Sequence, residues 1–141
     1  MILSFNLTIV SPDGPTFTGE VESVSLPTTM GEITVLPHHV PLIAVLAPGE
    51  ARIKNATEAI FLSVSGGVIE VRSDNSVYVL AETAERAEHI DLARAETAKA
   101  RAEELMKQRD RMDDEQFALV MAKMEKELAR LRVGKKWRKL G

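Results

Sequence analysis

With 141 residues and a hydrophobic fraction of 45%, the chain can form one domain or two small ones. The absence of cysteine excludes disulfides, cysteine-based zinc sites and cysteine nucleophiles. A net charge of −3 argues against general nucleic-acid binding, and no apolar run approaches the ~20 residues of a membrane-spanning helix, so we expect a cytosolic or plastid-stromal protein that reaches a membrane only through a partner.

Residues 1–84 have the pattern of β-strands. They contain all six prolines and six of the eight glycines, and nine acidic side chains outnumber three basic ones. No helical stretch interrupts them, so parallel strands with helical crossovers are not expected, and an antiparallel sandwich or barrel is predicted. The apolar runs between turn signals cover residues 5–9, 21–26, 33–35, 40–46, 51–54, 59–64, 69–71 and 77–81.

The rest of the chain has the pattern of two helices, with fifteen basic and twelve acidic side chains. Asp91 is a candidate N-cap for the first helix, and Asp113 with Gln116 resembles a capping box for the second. Gly134 stands where a C-terminal glycine cap is expected. The short polar break at 108–114 predicts an antiparallel hairpin with arms ~28 Å long. Its alanine-rich seam buries little apolar area, so the hairpin can open to about twice that reach.

Several separated motifs carry a family resemblance. Residues 31–43 read GEITVLPHHVPLI, with VSP at 10–12 and FTG at 17–19 before them and PG at 48–49 after them. Residues 65–71 read SGGVIEV. In this order the motifs resemble the epsilon subunit of rotary F-type ATP synthases of the bacterial type, and the resemblance covers essentially the whole chain.

The resemblance implies an α+β fold: a β-sandwich of about ten strands over residues 1–84, then a regulatory α-helical hairpin over 85–141. It implies a non-catalytic rotor subunit of the central stalk, in which the sandwich docks on the gamma subunit and the c-ring and couples hydrogen ion transport to ATP synthesis. The extended hairpin would contact the beta and alpha catalytic subunits and inhibit ATP hydrolysis. The expected location is the cytoplasmic face of the bacterial cell membrane, peripheral and held through the complex. An alternative function is a soluble ATP-sensing module without a rotor role.

Two sets of site residues follow from the resemblance. The loop after residue 31 is expected to face the c-ring, with Glu32 and His39 as contacts; the residues alone favour an ordinary proline-fixed turn exposed to water. Residues 90–95 match a nucleotide-associated pattern of Ile or Leu, Asp, two variable residues, Arg and Ala. The expected nucleotide-binding residues are Glu85, Ile90, Asp91, Arg94, Ala95, Arg101, Lys126 and Arg130.

The nucleotide site has a structural alternative, in which Asp91 only caps its helix and Arg94 forms an ordinary surface pair. As a ligand site, an arginine at a helix N-terminus offers phosphate a forked donor in a favourable field. Lys126 stands where ATP-binding members of the family tend to have arginine, which lowers the expected affinity. ATP is therefore expected as a regulatory ligand, and no cofactor is required.

The segment 130–141 contains six basic side chains and no acidic one. It is interpreted either as a frayed, solvated terminus or, by the resemblance, as the part of an extended hairpin that meets acidic segments of the beta subunits. Nucleic acid is not an expected partner. The three histidines, His38, His39 and His89, lack a metal-ligand spacing, and no catalytic motif is present, so neither a metal site nor enzyme activity is expected.

Overall fold

The computed structural model of the chain describes residues 3–140, the last of them by its backbone only. Met1, Ile2 and Gly141, which belong to the predicted sandwich and the basic tail, lie outside the described residues. Within this range the chain forms eight strands and then two α-helices. The strands are β1 (Phe5–Ser11), β2 (Gly14–Val21), β3 (Ser23–Thr28), β4 (Gly31–Val35), β5 (Leu42–Val45), β6 (Gly49–Lys54), β7 (Ala59–Val71) and β8 (Ser76–Arg86).

The strands pair in the order β2-β1-β8-β7-β6-β3-β4, and β5 pairs with the second half of β7. The predicted α+β fold, a sandwich followed by a helical hairpin, is confirmed. One pair departs from the antiparallel prediction, because β1 and β8 are parallel. Six intervening strands make the connection between them, so a parallel pair arises here without the helical crossover that the sequence argument required.

The inward faces of the strands form one apolar core. On β1, Leu7 and Ile9 have no exposed surface, and neither have Val24 and Leu26 on β3. Burying such a side chain contributes ~1.5–3 kcal/mol, so the alternation of apolar and polar residues fixes which face of each strand turns inward.

A glycine pair in β7 changes which residues face the core. Before it, even-numbered residues such as Leu62 and Val64 are buried in the core; after it, the odd-numbered Ile69 is buried instead. Gly66 and Gly67 have φ values of +59° and +124°, in the region that favours glycine. The sequence therefore reads as two short strands where the structure has one long strand, which partly explains why eight strands stand against about ten predicted.

The helices are α1 (Leu92–Met106) and α2 (Asp114–Leu140), preceded by 3-10 turns at Ala87–His89 and Arg109–Arg111. The predicted N-cap is confirmed, because the Arg94 N–H donates to Asp91 Oδ1 over 3.1 Å. The capping box is confirmed as well: the Gln116 N–H donates to Asp113 Oδ1 (2.7 Å), and the Asp113 N–H donates to Gln116 Oε1 (3.1 Å).

The prediction that Gly134 ends the second helix is wrong, because α2 continues through it to Leu140. A Cβ at this position would lie 2.8 Å from Leu92 Cδ2 and 3.2 Å from Ile90 Cγ2. The glycine therefore serves close packing of α2 against the segment before α1. As a result the two arms are unequal: α2 has 27 residues against 15 in α1, or ~40 Å against ~22 Å at 1.5 Å per residue.

The glycine bend gives a test of the sandwich. A Cβ on Gly67 would collide with the carbonyl oxygen of Leu80 on β8. We expect Gly67→Ala to lower the free energy of unfolding by at least ~2 kcal/mol, since a side chain at such φ costs ~1–3 kcal/mol before the collision is counted. Urea unfolding followed by circular dichroism measures this. Gly19→Ala on β2 is the matched control, because its Cβ would meet nothing closer than the Phe17 ring at 3.6 Å; equal unfolding midpoints for the two variants would contradict the account.

Candidate functional site

The outer face of the sandwich is covered by the C-terminal half of α2. Strand register places Glu50, Ser63 and Glu85 side by side on β6, β7 and β8. Ser63 points away from the core, yet it is only 4% exposed because α2 packs over β7. The predicted arm is therefore docked along the sandwich in this structure, with two carboxylates flanking the contact.

Glu85 pairs with an arginine of α2. Arg130 Nε donates to Glu85 Oε2 over 2.8 Å and Arg130 Nη2 donates to Glu85 Oε1 over 3.2 Å, which is a two-pronged contact. Arg130 Nη1 also donates to Glu127 Oε2 over 2.9 Å, and Glu127 is itself buried. Burial alone would lower the pKa of Arg130, but the hydrogen bonds that Arg130 donates to the Glu85 and Glu127 carboxylates outweigh burial and raise that pKa. The guanidinium is thus permanently charged and matched by two carboxylates.

Glu50, the other carboxylate, pairs with a lysine nearer the end of α2. Lys136 Nζ lies 3.0 Å from Glu50 Oε1 and 5.4 Å from the centre of the Phe61 ring. Trp137 packs with Phe61 against a small buried cluster that contains Val133. Basic residues in 130–140 therefore neutralise acidic residues of the sandwich, and the frayed-terminus interpretation is wrong for the part of this segment that the structure describes.

The predicted nucleotide-binding residues fall into separate groups. Ile90 and Ala95 are buried and serve packing. Arg94 is 86% exposed and lies 3.7 Å from Asp91 Oδ2, so it is at most loosely paired. Arg101 is exposed and Lys126 is half-buried.

The structure thus brings Glu85 together with Arg130, and Asp91 together with Arg94. Among the side-chain hydrogen bonds and ion pairs of residues 3–139, none joins either pair to the other or to the remaining two cations of the set. The family resemblance identified Arg130 but missed Glu127, because the i, i+3 spacing of Glu127 and Arg130 is common on solvated helix faces and does not by itself indicate burial.

The predicted c-ring residues lie on and after β4: Glu32 is its second residue, and His39 follows its last residue by four positions. Glu32 on β4 is half exposed and pairs with Arg52 Nη2 through Oε1 over 2.6 Å. His39 Nδ1 lies 2.7 Å from the carbonyl oxygen of Val40 and donates a hydrogen bond to it. The preceding His38 has φ +63°, and its N–H donates to Asn75 Oδ1 over 2.8 Å, so the loop is held to the sandwich.

Sequence reasoning missed an apolar row on the outer surface. Val10, Leu80, Val68 and Val45 are register partners on β1, β8, β7 and β5, and they share one face. Leu80 and Val45 are each 56% exposed. Paired residues on adjacent strands form a contiguous strip, so this row is a candidate docking surface rather than a scatter of exposed side chains. Consecutive apolar pairs such as Val79-Leu80 are the sequence signal that both faces of a strand are apolar.

The described residues provide neither a metal site nor a membrane-spanning helix. Within the described part of the chain, no group of three or more histidine, aspartate or glutamate side chains is placed to hold a metal ion. Neither of the helices described there combines the length and the apolar character needed to cross a membrane.

Comparisons with known proteins agree with the fold. A family model described as ATP synthase, Delta/Epsilon chain, beta-sandwich domain matches residues 4–87, and one for the long alpha-helix domain of the same chain matches residues 88–135. The last strand ends at Arg86, and the division at residue 84 remains a prediction.

Curated relatives are similar over most of the chain. An ATP synthase epsilon chain of Bacillus mycoides (strain KBAB4) is 42% identical over 127 residues, covering 90% of each protein. One of Bacillus cereus (strain G9842) is 48% identical over 103 residues, covering 73% of this chain and 77% of the relative. A chain in the cryo-EM structure of Euglena gracilis mitochondrial ATP synthase aligns with a TM-score of 0.69 at 20% identity, covering 99% of this chain and 82% of that one, which shows a shared fold.

The Arg130 cluster can be tested by removing its cation. We expect Arg130→Met to lower the free energy of unfolding by about 2–3 kcal/mol, less than for a fully buried pair because Glu85 keeps part of its surface exposed. Trp137 is the single tryptophan and lies in the docked segment, so its fluorescence during urea unfolding reports the loss directly. Arg132→Met, on the exposed side of the same helix, is the control; the same midpoint for both variants would show that the cluster does not stabilise docking.

Proposed function

The chain belongs to the delta/epsilon chain family of ATP synthases as an epsilon chain, and on that premise we propose that it is a non-catalytic rotor subunit of the central stalk. In this role the sandwich binds the gamma subunit and the c-ring and helps couple hydrogen ion transport to ATP synthesis. The protein would lie at the cytoplasmic face of a bacterial membrane, held there only through the complex. The observation that carries the proposal is the apolar row, which provides a docking surface separate from the one that α2 covers.

Contact with the c-ring would use polar groups on and after β4 rather than the apolar row. Leu36 directly follows β4 and Val40 directly follows His39, and both of these apolar side chains are exposed. Exposed charge pairs contribute only ~0–1 kcal/mol each, so Glu32 and His39 would mainly orient the sandwich on the ring. The apolar row would supply most of the affinity for the complex through the gamma subunit.

The hairpin would regulate ATP hydrolysis by exchanging one set of carboxylates for another. In the docked position Arg130 and Lys136 are paired with Glu85 and Glu50 of the sandwich. In an extended position the same cations would be free to meet acidic segments of the beta subunits, with alpha subunits alongside, and hold the inhibitory position. Each position neutralises the cations, so the balance depends on which carboxylates hold them better.

ATP binding to the folded hairpin is the finer part of the proposal. Arg94 is available for phosphate at the start of α1, whereas Arg130 is occupied by Glu85 and Glu127. A phosphate group would have to displace these carboxylates, and Lys126 offers only a point charge. We therefore expect weak binding that biases the hairpin toward the folded position without a complete switch. The second candidate function, a soluble ATP-sensing module without a rotor role, is favoured by the exposed Arg94 at the start of α1 and is distinguished by assembly.

The docking surface predicts an assembly defect. Leu80→Glu should abolish co-purification of the chain with the gamma subunit, because it places a charge in the middle of the apolar row. Leu119→Glu, at an exposed apolar position on α2, is the control and should assemble normally. Normal assembly of Leu80→Glu would contradict the rotor proposal at this surface and favour the soluble module.

The inhibitory role predicts faster ATP hydrolysis without the hairpin. A chain ending after Glu88 keeps β8 through Arg86 and should still assemble, and the complex containing it should hydrolyse ATP faster than the complex with the full chain. Steady-state hydrolysis by the two purified complexes measures this. Equal rates would overturn the inhibitory role and leave the rotor role intact.

Nucleotide binding is tested by calorimetric titration of the isolated chain with ATP. Arg94→Ala should weaken binding, and Glu127→Gln should tighten it because it removes a competitor for Arg130 while keeping the side-chain volume. Arg132→Ala is the matched surface control. No detectable heat with the unmodified chain and with Glu127→Gln at millimolar ATP would reject the site.

A further inference from the structure

The end of α2 reaches beyond the part of the chain that the family models describe. The helical-domain match stops at residue 135, whereas Lys136 and Trp137 lie beyond it and contact the sandwich.

Val133, Gly134 and Trp137 pack on a surface that the sandwich and the following turn provide. Val133 is 1% exposed and clusters with Ala87 and Ile90, and Phe61 and Trp137 close the cluster from the side. At Gly134 the helix backbone comes so near Ile90 that a methyl group would already be crowded. Such a fit is specific, because close-packed surfaces lose contact energy with small displacements.

Lys136 adds a charge to this apolar contact. Its ammonium group pairs with Glu50 over 3.0 Å and lies 5.4 Å from the centre of the Phe61 ring. Glu50 is largely shielded from solvent, which strengthens the pair relative to an open surface pair. Glu50 also lies 3.6 Å from Arg52, so a second cation is close by if Lys136 leaves.

The seam between the two helices buries only small side chains on the α1 side, and Lys135 Nζ of α2 pairs with Glu96 Oε1 of α1 over 3.4 Å. Its buried residues on α1 are Ala95 and Ala102, which remove little apolar area from water. A hairpin with this seam depends on contacts outside it to stay folded against the sandwich.

We infer that Val133, Gly134, Lys136 and Trp137 form a latch that clamps the folded hairpin onto a receptor made by Glu50, Phe61 and the turn Ala87–Ile90. The latch rests on the proposed regulatory function for its biological role, but its effect on the folded position is a property of the isolated chain. It sets how readily this particular chain releases α2, independently of nucleotide.

The absence of cysteine allows a clean measurement of this release. Cysteines placed at Thr57 on the β6–β7 loop and at Arg132 on α2 are labelled with a donor and an acceptor dye, and energy transfer gives the ratio of released to docked chains. Trp137→Ala should raise this ratio about tenfold or more, since truncating a packed Trp removes both contact area and fit. Leu119→Ala, at an exposed position of the same helix, should stay within about twofold of the unmodified chain.

A charge exchange tests the ionic part without changing the apolar contact. Lys136→Glu should raise the ratio about fivefold, and Glu50→Lys combined with Lys136→Glu should bring it back to within about twofold. Lys139→Glu, with no side-chain partner among the described residues, is the matched control. If Trp137→Ala and Lys136→Glu both remain within about twofold of the unmodified chain, the latch is wrong.

Hydrolysis by the assembled complex separates the latch from the regulatory role. A variant that releases α2 in the isolated chain and also lowers ATP hydrolysis in the complex supports both the latch and the inhibitory role. Release in the isolated chain with unchanged hydrolysis supports the latch and overturns the inhibitory function.

Discussion

The pairing of two cations on α2 with two carboxylates on the sandwich is the interaction on which the arrangement of the whole molecule depends. Strand register places Glu50 and Glu85 on either side of Ser63, and Arg130 and Lys136 are six residues apart on the helix that crosses them. Because both ends of the contact are fixed, α2 has one position over β6, β7 and β8. The acidic first half and the basic second half of the sequence therefore meet at one docked interface.

Local features of the fold followed from the sequence, whereas features set by distant contacts did not. Asp91, Asp113 and Gln116 cap their helices as predicted, because a cap involves residues within one turn of each other. Gly134 was assigned as a helix end since glycine commonly has that role, but here it admits Ile90 from a different segment. The glycine pair in β7 separates two runs that the sequence predicts as strands, because glycine allows φ > 0 both in a turn and within a strand that changes its buried face.

In the candidate site, too, local features were predictable and features set by distant contacts were not. The pattern at 90–95 correctly marked the start of α1, yet the structure uses Ile90 and Ala95 for packing and leaves Arg94 exposed. Glu85 and Arg130 do meet, and they were assigned to the same site because the family pattern carries long-range information that periodicity lacks. Glu127 was not found, since a buried carboxylate is recognisable only when its partner and the covering surface are known.

The central claim is that docking on the sandwich competes with the inhibitory position for the same cations. The most direct test is steady-state ATP hydrolysis by the assembled complex carrying Glu85→Gln, which keeps the shape of the sandwich face and removes one of the carboxylates that hold Arg130. We expect slower hydrolysis than with the unmodified chain, because release of α2 favours the proposed inhibitory position. Unchanged or faster hydrolysis, with normal assembly, would contradict it.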